Sequence, residues 1–98
     1  MSLDLHIKCS EAVLEKLRDK HGVSYTEVIQ CFINRGGGFL EDLREDHKTN
    51  PVTEWFIAES HNGRKLKVCF VQVGTGIDVK TAYEPNSEEI RIYDAKAY

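Results

Sequence analysis

A chain of 98 residues holds one domain with one modest core, too little for a second core or a deep, enclosed active site. Its 13 Lys and Arg against 16 Asp and Glu leave a net charge of −3, which argues against nucleic-acid binding driven by overall charge and leaves only local patches for that role. The apolar runs Trp55–Ala58 and Val68–Val71 fall far short of the roughly 20 residues of a membrane span, and no signal-peptide pattern opens the chain, so a soluble cytoplasmic protein without a membrane partner is expected.

Leu3, Leu5 and Ile7 alternate with Asp4, His6 and Lys8, the period of a half-buried strand. Ser10 is placed to cap a helix whose apolar stripe is Val13, Leu14 and Leu17, and Gly22 can close it in the left-handed conformation. Two residues later Ser24 and Glu27 have the spacing of a reciprocal capping box, flanked by Val23 and Val28 as a hydrophobic staple. A second helix is expected from about Ser24 to Asn34, burying Val28, Ile29, Cys31 and Phe32 and ending at Gly36-Gly37-Gly38.

Phe39 to Leu43 reads as a short strand and Arg44 to Pro51 as a polar loop. Thr53–Glu59 is rich in β formers, and Asn62-Gly63 supplies a hairpin turn into Arg64–Val73. Val68 to Val71 is apolar without alternation, as in a central strand covered on both faces. Gly74-Thr75-Gly76 turns into a strand from Ile77 to Tyr83, with Ile77, Val79 and Tyr83 expected on one face and Asp78, Lys80 and Ala82 on the other. After Pro85, Asn86 or Ser87 caps a short final helix with Glu88 and Glu89 at its positive end. The sum is a single α+β domain spanning residues 1–98. Two N-terminal helices pack on an antiparallel meander of three to five strands, and a short C-terminal helix closes it.

Cys9, Cys31 and Cys69 are odd in number and widely spaced, which fits neither a disulfide framework nor a zinc motif, and they read as small buried hydrophobes. Chemistry rests on two other clusters. Arg64, Lys65, Lys67 and Lys80, opposed by Asp78 alone, form a basic hairpin able to hold phosphates, with Arg64 best placed for bidentate contact. Lysines alternating on a solvent-facing strand explain the same pattern without function. Arg44-Glu45-Asp46-His47-Lys48 gathers an acid, a titratable imidazole and cations, the ingredients of general acid–base chemistry beside a negative transition state. It reads equally as a solvated loop. No metal or cofactor motif is present: Asp42, Asp46 and His47 have none of the metal-site spacings, and the glycines lack a phosphate-loop context.

The string Lys20-His21-Gly22-Val23-Ser24, the amphipathic helix after it, the Gly63-Arg64 hairpin and the Thr81-Ala82-Tyr83 strand resemble the BrnT-like toxins of bacterial type II toxin–antitoxin systems, over roughly Leu14 to Tyr83. Arg44-Glu45-Asp46-His47-Lys48-Thr49, Trp55-Phe56-Ile57-Ala58 and Thr81 to Asn86 resemble a group of short bacterial proteins more closely. Some of that group are labelled hydrolases of ADP-ribosylated dinitrogen reductase, a label that belongs to large helical enzymes with metal-binding carboxylates. The toxin resemblance implies a RelE-type fold, an RNA substrate, an antitoxin partner and metal-independent cleavage in which a ribose 2′-hydroxyl attacks its neighbouring phosphate. In that scheme His47 is the base or acid, Arg44 and Arg64 stabilise the phosphorane, and Lys65, Lys67 and Lys80 hold the backbone. Tyr83 stacks a base or relays a proton. The chain departs from the toxins where they carry arginines after the last strand: it has Glu84-Pro85-Asn86. With that departure the toxin resemblance implies an active ribonuclease or an inactive descendant of one, and the missing arginines favour the other expectation, a non-catalytic protein-binding or regulatory module. Its acidic residues Glu41, Asp42, Glu45, Asp46, Glu88 and Glu89 would then meet a basic protein partner.

Overall fold

The structure is a computed structural model and describes residues 6–42 and 51–98. Ser10 starts the first helix, its Oγ accepting from the Val13 amide at 3.2 Å. That helix, α1 (Glu11–Lys16), runs directly into a π-helical turn, Leu17–His21. Gly22 then takes φ 61° and its amide donates to the Arg18 carbonyl, while the Val23 amide reaches the Leu17 carbonyl at 2.9 Å. These bonds satisfy carbonyls that a helix end leaves open. The second helix, α2 (Tyr25–Asn34), begins with the expected box: Ser24 Oγ accepts from the Glu27 amide and Glu27 Oε1 from the Ser24 amide, both at 3.2 Å. Val23 and Val28 are both buried.

The remaining elements are β1 (Ile7–Lys8), β2 (Leu40–Glu41), β3 (Thr53–Glu59), β4 (Lys65–Val73), β5 (Gly76–Tyr83) and α3 (Ser87–Lys96). Among the described residues they make an α+β fold with one mixed sheet in the order β1-β5-β4-β3-β2. From β2 to β5 it is the expected antiparallel meander, and β1 joins the β5 edge in parallel. The apolar strand β4 is central, as its lack of alternation implied. Asn86 is the cap of α3, in a second capping box with Glu89. No helix among the described residues is long and apolar enough to cross a membrane.

Both faces of the sheet are covered. Against α2 lie Phe56, Leu66, Val68 and Phe70, each fully buried. The rings of Phe32, Phe39, Phe56 and Phe70 interlock there, with centroids from 4.7 Å to 6.4 Å apart. The opposite face presents Trp55, Ile57, Lys67 and Tyr83 toward α3, whose Tyr93 ring sits 5.7 Å from Trp55. One expectation about β5 fails. Cys69 pairs with Thr81 but Phe70 pairs with Val79, so Lys80 is an extra residue, a bulge. The bulge shifts the period-two alternation by one. It places Val79 with Ala82 in the Phe70 core and Tyr83 on the α3 face, instead of Val79 and Tyr83 together. The Lys80 carbonyl then accepts from Lys16 Nζ at 3.3 Å.

Two local expectations can be checked directly. A Cβ on Gly37 would lie 2.8 Å from the Tyr93 hydroxyl and 3.0 Å from the Ala97 Cβ, so Gly37→Ala is expected to cost about 1–3 kcal/mol by overpacking, measurable by urea denaturation. Cys31 is fully buried, and burial first of all, with the Glu27 charge second, pushes its thiol up to about 12. With alkylating reagent at pH about 8, Cys9 and Cys69, both half-buried, are expected to label well before Cys31, which reacts only on unfolding. Mass spectrometry of the labelled chain distinguishes the three. Early labelling of Cys31 would contradict its place in the core.

Candidate functional site

Arg64 follows the turn at Gly63, which takes φ 83°. The turn is closed by the Ser60 amide on the Arg64 carbonyl at 2.9 Å and the Arg64 amide on Ser60 Oγ at 3.3 Å. The side chain is 26% exposed, but its donors are turned onto the protein. Its Nη1 donates to the Gly22 carbonyl at 2.7 Å and to Glu27 Oε1 at 3.3 Å, its Nη2 to the His21 carbonyl at 2.9 Å, and its Nε to Glu84 Oε2 at 2.9 Å. Two of these acceptors are the open carbonyls at the end of the first helix, the negative end of its dipole. Partial burial disfavours the charge, but Glu84 and Glu27 more than offset it, and the guanidinium pKa is raised. The fork that could grip a phosphate instead ties the β3–β4 hairpin to the α1–α2 corner.

Lys67 is buried, 7% exposed. Its Nζ donates to Glu89 Oε2 at 2.8 Å, and the Tyr83 hydroxyl donates to the same oxygen at 3.0 Å. The ammonium also lies 4.4 Å from the Trp55 ring centroid, a cation–π contact in a desolvated setting. The other Glu89 oxygen accepts from the Asn86 amide at 3.0 Å and so completes the α3 cap. Burial raises the Glu89 pKa, but Lys67 and the Asn86 amide lower it further, so the carboxyl ends below its usual value. Burial likewise opposes the Lys67 charge and Glu89 reverses that, raising its pKa. Burial, chiefly, raises Tyr83. Trp55, Lys67 and Glu89 line a groove of about 420 Å³ whose rim carries Glu41, Asp42 and Lys96.

The basic hairpin is therefore not one patch. Arg64 turns toward the α1–α2 side, while Lys67 and Tyr83 lie on the α3 side and meet at one carboxylate. Lys65 and Lys80 are exposed, and Lys80 sits 3.7 Å from Asp78. Arg44 and His47, with Glu45 and Asp46, fall outside the described residues. Of the acidic residues expected to meet a partner, Glu88 pairs with Arg91 and Glu89 with Lys67. Among the described residues no group of three or more His, Cys, Asp or Glu could hold a metal. Sequence reasoning missed Glu27, Glu84 and Glu89 as the partners of the cations. For Glu89 the capping spacing was visible, but not the use of its second oxygen.

A second feature was not foreseen at all. β2 pairs with β3 only at Leu40–Trp55 and Glu41–Glu54. Continuing that register would bring Gly38 opposite Ile57, but the Tyr93 hydroxyl stands there. It donates to the Gly38 carbonyl at 2.8 Å, and the Ile57 backbone amide faces its oxygen. The Gly38 amide goes instead to the Ala97 carbonyl at 2.9 Å. The ladder thus opens, and β3 from Ile57 to Glu59 has no strand on its outer side among the described residues. An open groove of about 560 Å³ runs along this edge between the end of α2 and α3, lined by Asn34, Ile57, Glu59, His61, Tyr93 and Asp94 among others. Asn34 Nδ2 contacts the Glu59 carbonyl at 2.9 Å and His61 Nδ1 at 3.1 Å.

Fold and sites together define, among the described residues, a small α+β domain in which Arg64 and Lys67 are held by its own carboxylates and β3 is left unpaired on its outer side at Ile57–Glu59. No protein-family model matches the chain, and no curated protein matches it.

Proposed function

We propose that the chain is a non-catalytic protein-binding module built on a RelE/BrnT-like framework, an inactive descendant of a toxin ribonuclease. The observation that carries this reading is the commitment of Arg64 to two helix-end carbonyls and two carboxylates. One of those carboxylates is Glu84, at the position after the last strand where the toxin resemblance implies arginine. A carboxylate there removes a phosphate contact and also neutralises the cation that would make another. Lys67, held by Glu89, is withdrawn in the same way. The two helices preceding an antiparallel meander support the framework half of the proposal.

Induced expression in a bacterial host, with RNA profiling, tests it. Unaltered growth and an unaltered RNA pattern are expected. Growth arrest with a reproducible cleavage pattern would return the ribonuclease reading, with His47 and Arg44 as its residues.

A further inference from the structure

We infer that the open edge of β3 at Ile57–Glu59 is the docking site, and that its occupant is an extended, lysine- or arginine-bearing segment of a partner protein, which adds there as a short parallel strand. The inference rests on the binding-module reading and names the surface and partner class for it.

The hydrogen-bonding groups select the occupant. The Ser60 amide bonds toward β4 and the Thr53 carbonyl toward Asp42 on the other side. By the alternation of a strand, the amides and carbonyls of Ile57 and Glu59 therefore point outward from β4. One of these four groups, the Glu59 carbonyl, is met by Asn34 at 2.9 Å, and the Ile57 amide is fronted by the Tyr93 hydroxyl, which itself is tied to the Gly38 carbonyl. Among the described residues, the two left for a ligand are the Ile57 carbonyl and the Glu59 amide, which flank Ala58. One residue of a parallel strand takes that pair with its own amide and carbonyl. A phosphate offers only acceptors and leaves the Ile57 carbonyl unmet.

Charge and apolar surface agree. Among the described residues, Glu59 and Asp94, both exposed, line the groove against one lysine, Lys65, which disfavours nucleic acid and favours basic side chains. Tyr98, 77% exposed, lies at the same groove and packs edge-on against Tyr93 with centroids 5.9 Å apart. It gives an incoming strand an aromatic surface to cover.

The test is an amide-resolved NMR titration of the full chain with a short, end-blocked peptide of alternating lysine and valine. Shifts centred on Ala58, Glu59 and Ser60 are expected, with slowed exchange of the Glu59 amide and a dissociation constant on the order of 0.1–1 mM. The same peptide N-methylated at every residue is expected to bind at least about tenfold more weakly, because it cannot donate to the Ile57 carbonyl. Neutralising the rim with Glu59→Gln and Asp94→Asn, both solvent-facing, is expected to weaken the unmodified peptide about threefold to fivefold. Absence of shifts, shifts centred elsewhere, or equal binding of the methylated peptide would overturn the inference. So would polyuridine RNA shifting the same amides. An RNA cleavage pattern on expression would instead overturn the binding-module reading, so the two failures are distinct.

Discussion

An Arg64→Ala protein is expected to unfold with about 2–3 kcal/mol less free energy than the parent, a fall of roughly 10–15 °C in melting temperature for a domain of this size. The loss has identifiable parts. The His21 and Gly22 carbonyls end a helix and lose a charged donor, and Glu27, whose side chain is 20% exposed, loses its cation while keeping its capping bond to Ser24. The Glu84 contact adds little, because Glu84 is largely solvated. Arg64→Lys is expected to recover less than half of the loss, since an ammonium cannot span two carbonyls and two carboxylates at once. Hydrogen exchange should show the damage concentrated in residues 17–28. An Arg64→Ala protein as stable as the parent would remove the structural account of this residue.

Lys67→Met is expected to cost about 2–3 kcal/mol, because it leaves the Glu89 carboxylate on the Trp55–Tyr83 face without its cation. The double change Lys67→Met with Glu89→Gln is expected to be more stable than Lys67→Met alone. The glutamine retains an oxygen for the Asn86 amide, and no charge is left stranded. The pH dependence follows from direction. The folded carboxyl of Glu89 lies below its usual value of 4.5, so its contribution is complete above about pH 4.5 and is lost as pH falls through the lower folded value. The stability gap between parent and Lys67→Met should therefore narrow in acid. Denaturant titrations at pH about 7 and about 3 measure it, and a gap that widened in acid would contradict the ion pair.

What the sequence revealed and what it hid divide by range. The α1–α2 corner was legible because its devices are local: a glycine at left-handed φ and a capping box read over four residues need no knowledge of the rest of the chain. The same holds for the Asn62-Gly63 turn and the Asn86 cap. The residue type and turn position of Arg64 mark it out locally, but Gly22, Glu27 and Glu84, which it bonds in the fold, lie 20 to 42 positions away and no local pattern joins them to it. The burial of Lys67 is hidden for another reason: alternation alone cannot tell a wet face from one covered by a later helix. The bulge at Lys80 left no mark in the composition, yet it reverses the faces of every β5 residue before it relative to Tyr83. The open β3 edge depends on a hydroxyl arriving from α3, a tertiary event with no sequence signature.

The central claim, that Arg64 and Lys67 are spent inside the domain rather than on RNA, is tested most directly by incubating the purified chain with mixed-sequence RNA and analysing the fragment ends. Intact RNA, indistinguishable from a buffer control, is the expected result. Fragments ending in 2′,3′-cyclic phosphate, produced by the parent and abolished in an Arg64→Lys protein that remains folded, would contradict it.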